Sequence, residues 1–229
     1  MKKNKGLVIS TITAIAFIIF SILSNAYALT VYITDPYTQP SYNGGPFRVT
    51  VSDPSPYNIS SSSFDTFCVE RNEYFYTNRP YYGSIGDAAI GGGIGGAIPG
   101  PVSGQTYDPL DIRTKRLYNF YLDNQGTLSN NQRAAIQLAI WRIEGEVNDT
   151  YDGLLTDGIR SLADAYLSNQ ANNYNIDRQI MVLNLYSNSD LSYASKAQSQ
   201  LVQVPEPSTL LLLGGGLLGL ALAMRRRKK

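Results

Sequence analysis

Two hydrophobic rhythms divide the chain. Between residues 29 and 82 apolar and polar positions alternate, so Leu29-Thr-Val-Tyr-Ile-Thr34 and Phe47-Arg-Val-Thr-Val51 read as half-buried strands. Pro, Asn, Gly and Ser clusters over 39–46 and 52–62 supply the turns between them. The alternation continues from Ser63 to Val69 and from Glu73 to Tyr76, which puts Cys68 on a strand or at its end, on the Phe64 and Thr66 face. From 108 to 168 the spacing changes to the three-and-four period of helices. Asp108-Pro109 reads as an N-cap and first helical residue, Leu110, Leu117, Phe120 and Tyr121 as the buried stripe, and Gly126 as the stop. Ser129-x-x-Gln132 predicts a capping box for a second helix running to about Gly145. Asp157 would cap a third, with Ile159, Leu162, Ala163 and Tyr166 inward, and Ile180 to Tyr186 reads as a last apolar strand.

The pattern predicts an α+β protein: a β-sandwich or barrel-like N-terminal half packed against a small helical subdomain. A signal peptide and a C-terminal transmembrane sorting helix would flank it. Residues 83–106 are Gly-rich and expected as loop. Gly91-Gly-Gly-Ile-Gly-Gly96 satisfies G-x-G-x-x-G formally, but no strand–helix unit surrounds it, so it is discounted as a dinucleotide site. Residues 1–28 carry Lys2, Lys3 and Lys5, then an apolar run from Leu7 to Leu23, then Ala26-Tyr27-Ala28, the plan of a cleavable signal. The expected divisions are 1–28 signal peptide, 29–189 extracellular domain, 190–204 polar spacer and 205–229 sorting tail.

Charge narrows the function. Of 19 basic residues, eight lie in the first and last five positions; the remainder sets 11 basic against 18 acidic residues, about −7. Such a balance argues against nucleic acid, which needs a basic footprint. The chain has no histidine, which removes a Ser-His-Asp triad, a Cys-His pair and any His metal site, and its single cysteine removes an internal disulfide. The expectation is a protein that is not an enzyme and carries no cofactor or metal.

That cysteine gains interest from Ala134-Ala-Ile-Gln-Leu-Ala-Ile-Trp141, which reads as the middle of an amphipathic helix with an amide among apolar side chains. Arg133, Ala134, Ile140 and Trp141 are the neighbours of Gln137 on its own face. A buried amide without partners costs roughly 1–3 kcal/mol. Gln137 is therefore either fully hydrogen-bonded or chemically altered. A thiolate attacking the Gln137 carbonyl would expel ammonia and leave a thioester, provided that apolar neighbours such as Phe67, Ile140 and Trp141 keep water out. Glu70, Glu144 and the tyrosines are candidates for the activating base. The other reading is a small buried Cys68 and a satisfied core amide.

Two resemblances extend this. Val204-Pro-Glu-Pro-Ser208, an apolar Thr209 to Met224 stretch and Arg225 to Lys229 resemble the PEP-CTERM sorting signal of Gram-negative bacteria. The sorting motif proper is Pro205, Glu206 and Pro207. The resemblance implies an exosortase as partner, transient anchoring in the inner membrane with a cytoplasmic C-terminus, and an association with extracellular polysaccharide, biofilm or floc. Phe67-Cys68-Val69 together with Ile136-Gln137-Leu-Ala139-Ile140-Trp141 resembles the thioester domain of bacterial surface adhesins, with Ile136 where that family has Thr. It implies a Cys68–Gln137 bond that captures an amine or hydroxyl on a protein or polysaccharide partner. The alternative is a noncovalent structural or polysaccharide-associated matrix protein with an ordinary Cys68.

Overall fold

The computed structural model describes residues 29–37, 44–53, 59–147 and 155–205, with Gly216 in the tail. The signal peptide, the apolar tail helix, Glu206 and Pro207 lie outside the described residues. No described helix is long and apolar enough to cross a membrane.

The architecture is mixed helix and strand. The first strands are β1 (Leu29–Thr34), β2 (Phe47–Val51), β3 (Ser63–Thr66) and β4 (Pro80–Gly86). Three short strands follow: β5 (Ala88–Ile90), β6 (Ile98–Pro99) and β7 (Thr106–Pro109). The helices are α1 (Ile112–Asn124), α2 (Asn130–Ile143), α3 (Asp157–Ser168) and the single turn α4 (Gln170–Asn173). β8 (Gln179–Tyr186) and β9 (Lys196–Val204) complete the chain. The main sheet is antiparallel, in the order β3-β2-β1-β4-β8-β9, and β5-β7-β6 form a small second sheet. Alternation sets the register: Val31 and Ile33 of β1 and Val49 and Val51 of β2 face inward, with Tyr32 and Thr50 outward.

The sheet curls until its ends meet. Just beyond β3 the chain stays extended and pairs with β9: Leu201 N–H donates to Phe67 O at 3.0 Å and Val69 N–H to Ser199 O at 3.0 Å. Cys68 faces Gln200 across this seam. The β structure is therefore not confined to the N-terminal half, since β8 and β9 finish the half-barrel. Residues 196–204, expected within a polar spacer, are a core strand that buries Leu201 and Val202 together with Gln198, Ser199 and Gln200.

Three helices pack on this sheet. The predicted capping box opens α2, with Ser129 Oγ accepting from Gln132 N and the Gln132 side chain accepting from Ser129 N. α2 is not amphipathic through its middle: every residue from Ala134 to Trp141 is buried, as in a helix enclosed on all sides. α1 starts later than expected. Asp111 caps it through Arg113 N at 2.7 Å, while Asp108 and Pro109 belong to β7. At the start of α3 the cap position is Thr156, and Asp157 is the first helical residue.

The Gly-rich segment forms two strands around a tight loop. Gly91, Gly92, Gly93 and Gly96 take positive φ. The loop closes on a carboxylate: Glu146, fully buried, accepts from Ile94 N at 2.7 Å, Gly95 N at 3.1 Å and Arg71 N at 2.9 Å. A Cβ at Gly93 would fall 2.0 Å from Glu146 Oε1, so the glycine is required by close approach.

Candidate functional site

Cys68 and Gln137 are brought together at the seam of the half-barrel, both with no solvent exposure. α2 carries Gln137 against the extended chain after β3. There the Gln137 carboxamide pairs with the Cys68 peptide: Nε2 donates to Cys68 O at 2.8 Å, and Oε1 accepts from Cys68 N at 2.9 Å. A second donor, Gly45 N–H, reaches the same Oε1 at 3.0 Å. Both polar atoms of the buried amide are thus partnered, which offsets the cost of burial noted above. Two backbone N–H groups aimed at one carbonyl oxygen also make an oxyanion-hole geometry, since charge placed on that oxygen would be met by donors already in position.

The sulfur lies in the same nest. Gln200 Nε2 donates to Cys68 Sγ at 3.7 Å, and the N–H groups of Gly45 and of Cys68 itself also favour a thiolate. Burial outweighs them and, with the Glu70 charge adding to it, pushes the thiol up to about 12. Cys68 is therefore a neutral thiol at physiological pH, and any nucleophilic use of it requires its proton to be taken during attack. Non-hydrogen-bonded antiparallel pairs hold their side chains closest, and Cys68–Gln200 is such a pair.

The expected apolar surroundings are buried. Phe67 is fully enclosed, its ring meeting Tyr121 edge-on at 4.7 Å and Tyr118 at 6.3 Å; Ile140 and Trp141 lie one helical turn beyond Gln137 in the core. Of the candidate bases, Glu144 is engaged at the start of α1, where Asp111 N donates to it at 3.3 Å, and burial raises it to about 7. Tyr118 and Tyr121 donate to Asp65, which with burial holds them protonated. Glu70 remains. It is fully buried two residues from Cys68, its Oε2 accepting from Ser199 N at 2.8 Å and its Oε1 without a hydrogen bond. Burial and the neighbouring Glu73 raise it to about 8.

Sequence reasoning missed Gly45 and Gln200. Gly45 lies in an Asn43-Gly-Gly-Pro46 stretch that signals only a turn, and Gln200 sits in a Ser/Gln-rich run that signals a spacer. It also missed a cleft of about 580 Å³ between β3 and the α1–α2 pair, lined by Tyr37, Arg48, Phe64, Asp65, Tyr118 and Arg133. Within it Asp65 holds Arg48 Nε at 2.5 Å and accepts from Tyr37, and the Arg133 guanidinium stacks on the Tyr37 ring at 4.8 Å. Among the described residues no three His, Cys, Asp or Glu side chains gather in a metal-holding arrangement.

Residues 203–228 match the PEP-CTERM protein-sorting motif. The match begins at Gln203, inside β9, so the sorting segment follows the half-barrel without an intervening linker. No curated protein and no solved structure matches the chain. The motif implies an exported protein, recognised and sorted by an exosortase.

Proposed function

We propose that Cys68 and Gln137 condense to an internal thioester, and that the exported protein uses it to capture a partner covalently. The observation that carries the reading is the double donation of Gly45 N–H and Cys68 N–H to Gln137 Oε1, beside a buried thiol. Attack by Sγ on the Gln137 carbonyl carbon would put the new charge on that oxygen. The Nε2 bond to Cys68 O orients the nitrogen that departs as ammonia. Complete burial keeps water from the product. An amine or hydroxyl on a protein or polysaccharide would then take the acyl group and release the thiol. This is one capture per molecule, an adhesin or matrix cross-linker rather than an enzyme. The tail helix would hold the protein in the inner membrane, C-terminus cytoplasmic, until an exosortase processes the signal.

Intact mass of the secreted protein tests it. A thioester lowers the mass by about 17 Da, the ammonia lost. Cys68→Ala restores the full mass, and methylamine labels Gln137 in the wild type alone. An unmodified mass with Cys68 alkylated after denaturation would sink the covalent reading. The noncovalent reading, a matrix protein that binds its partner on its surface, would then stand on the Tyr37–Arg48–Arg133 cleft.

A further inference from the structure

The thioester reading leaves the thiol proton without a destination, and a carboxylate at the same seam has no assigned task. Resting on that reading, we propose that Glu70 accepts the Cys68 proton during thioester formation and delivers it to the departing ammonia. Three observations support the assignment. First, the chain bends at Val69 and turns the Glu70 side chain back onto β9, where Oε2 takes Ser199 N beside the Gln200 that faces Cys68; the carboxylate is thus held at the same seam as the thiol, and its charge acts on it. Second, Glu70 is fixed. Its Oε2 is held by Ser199 N at 2.8 Å, and its backbone carbonyl accepts from the Gln198 side chain. Third, its Oε1 is completely buried with no hydrogen bond; Gln200 Oε1 at the same seam also lacks one, but an amide oxygen is far too weak a base to take a thiol proton. A buried carboxylate oxygen without a donor is costly as structure. It is suited to receive a proton.

The step balances. The Cys68 S–H bond breaks and its proton moves to Glu70 Oε1 as Sγ bonds the Gln137 carbonyl carbon. The adduct collapses with cleavage of the carbon–nitrogen bond, and Glu70 returns the proton to that nitrogen. One ammonia leaves, and Glu70 is a carboxylate again. No oxidant, metal or further reactant takes part.

The groups facing Glu70 set the pH at which it can act. Glu73 lies close enough to raise it, Lys196 pairs with Glu73, and Glu146 raises Glu73 in turn. Glu70 must be ionised to accept a proton, so the rate of ammonia loss should climb as pH passes about 8. The experiment refolds full-length chain, purified unfolded from inclusion bodies with its amide intact, and follows mass against time between about pH 6 and 9. Wild type is expected to lose ammonia with that rising limb. Glu70→Gln, which keeps an acceptor for Ser199 N–H, is expected to be slower by about 100-fold and to lose the limb. Equal rates in the two, or a wild-type profile flat through this range, overturn the assignment while leaving the thioester intact. No mass loss in wild type overturns both, and the unchanged mass identifies that case. If Glu70→Gln fails to refold, the wild-type profile decides alone.

Discussion

Gly45 shows how much rests on one missing side chain. A Cβ there would sit 2.9 Å from Thr66 O, 3.1 Å from Gln137 Oε1 and 3.2 Å from Phe67 Cα. Gly45→Ala should push its N–H away from Oε1, with a loss of about 1–3 kcal/mol in urea denaturation and no ammonia loss detectable by mass. Gln137→Leu strips the partners from Cys68 N–H, Cys68 C=O and Gly45 N–H together and should cost about 3 kcal/mol. Retention of wild-type stability by Gln137→Leu would mean that the amide is not holding the seam. Cys68 and Gln137 could be singled out from sequence because each is out of place, a lone thiol in an exported chain and an amide in an apolar run. Gly45 could not, because it contributes a backbone N–H, which every residue except proline carries.

Elements were legible where one force dominates. The strand alternation of β1 and β2 and the Ser129–Gln132 box follow from local rules, and the structure keeps both. Ser129→Ala should lower stability by about 1 kcal/mol, measured by thermal or urea melts. Elements were misread where tertiary contacts override local signals. Asp108-Pro109 has the form of a helix start, yet Asp111 takes the cap and Asp108 enters β7, its carboxyl raised to about 6 by burial and by Glu146 and Asp111. β9 reads locally as a spacer because Gln198, Ser199 and Gln200 are polar. Their partners are Asn184 on the neighbouring β8 and, from a distant stretch of chain, Glu70 and Cys68, which no local pattern reveals. The Gly-rich loop depends equally on a remote residue. Glu146→Ala leaves three backbone N–H groups without their acceptor, so amide exchange in residues 91–96 should quicken while α2 stays protected.

At the scale of the molecule, the α+β class and the strands-then-helices order were readable from periodicity. The return of β8 and β9 into the sheet was not, because one apolar strand fixes no partner. The buried acids give the whole fold a pH signature. Burial raises Glu70 to about 8, Glu144 to about 7 and Asp108 to about 6. The folded chain therefore binds protons that the unfolded chain has released, and the stability these groups provide is full below the ordinary carboxylate range and lost as pH rises through 6 to 8. Asp111 and Asp123, lowered by Arg113 and Arg178 despite partial burial, act oppositely in acid. Melting temperature should peak near about pH 5 and fall towards about pH 9, with Glu70→Gln flattening the alkaline side. A melting temperature that rises over this interval would contradict the burial of these acids. The half-barrel's last strand has a mechanical consequence as well. Any pull on the tail would enter the fold at Val204, whose partner is Gln179 at the start of β8. Load applied there peels the ladder pair by pair from its end, and the fourth and fifth residues to come free are Leu201 and Gln200. Tension on the tail would thus reach the strand that faces Cys68 before it reaches the helices, and the seam would be the first part of the fold to loosen under drag.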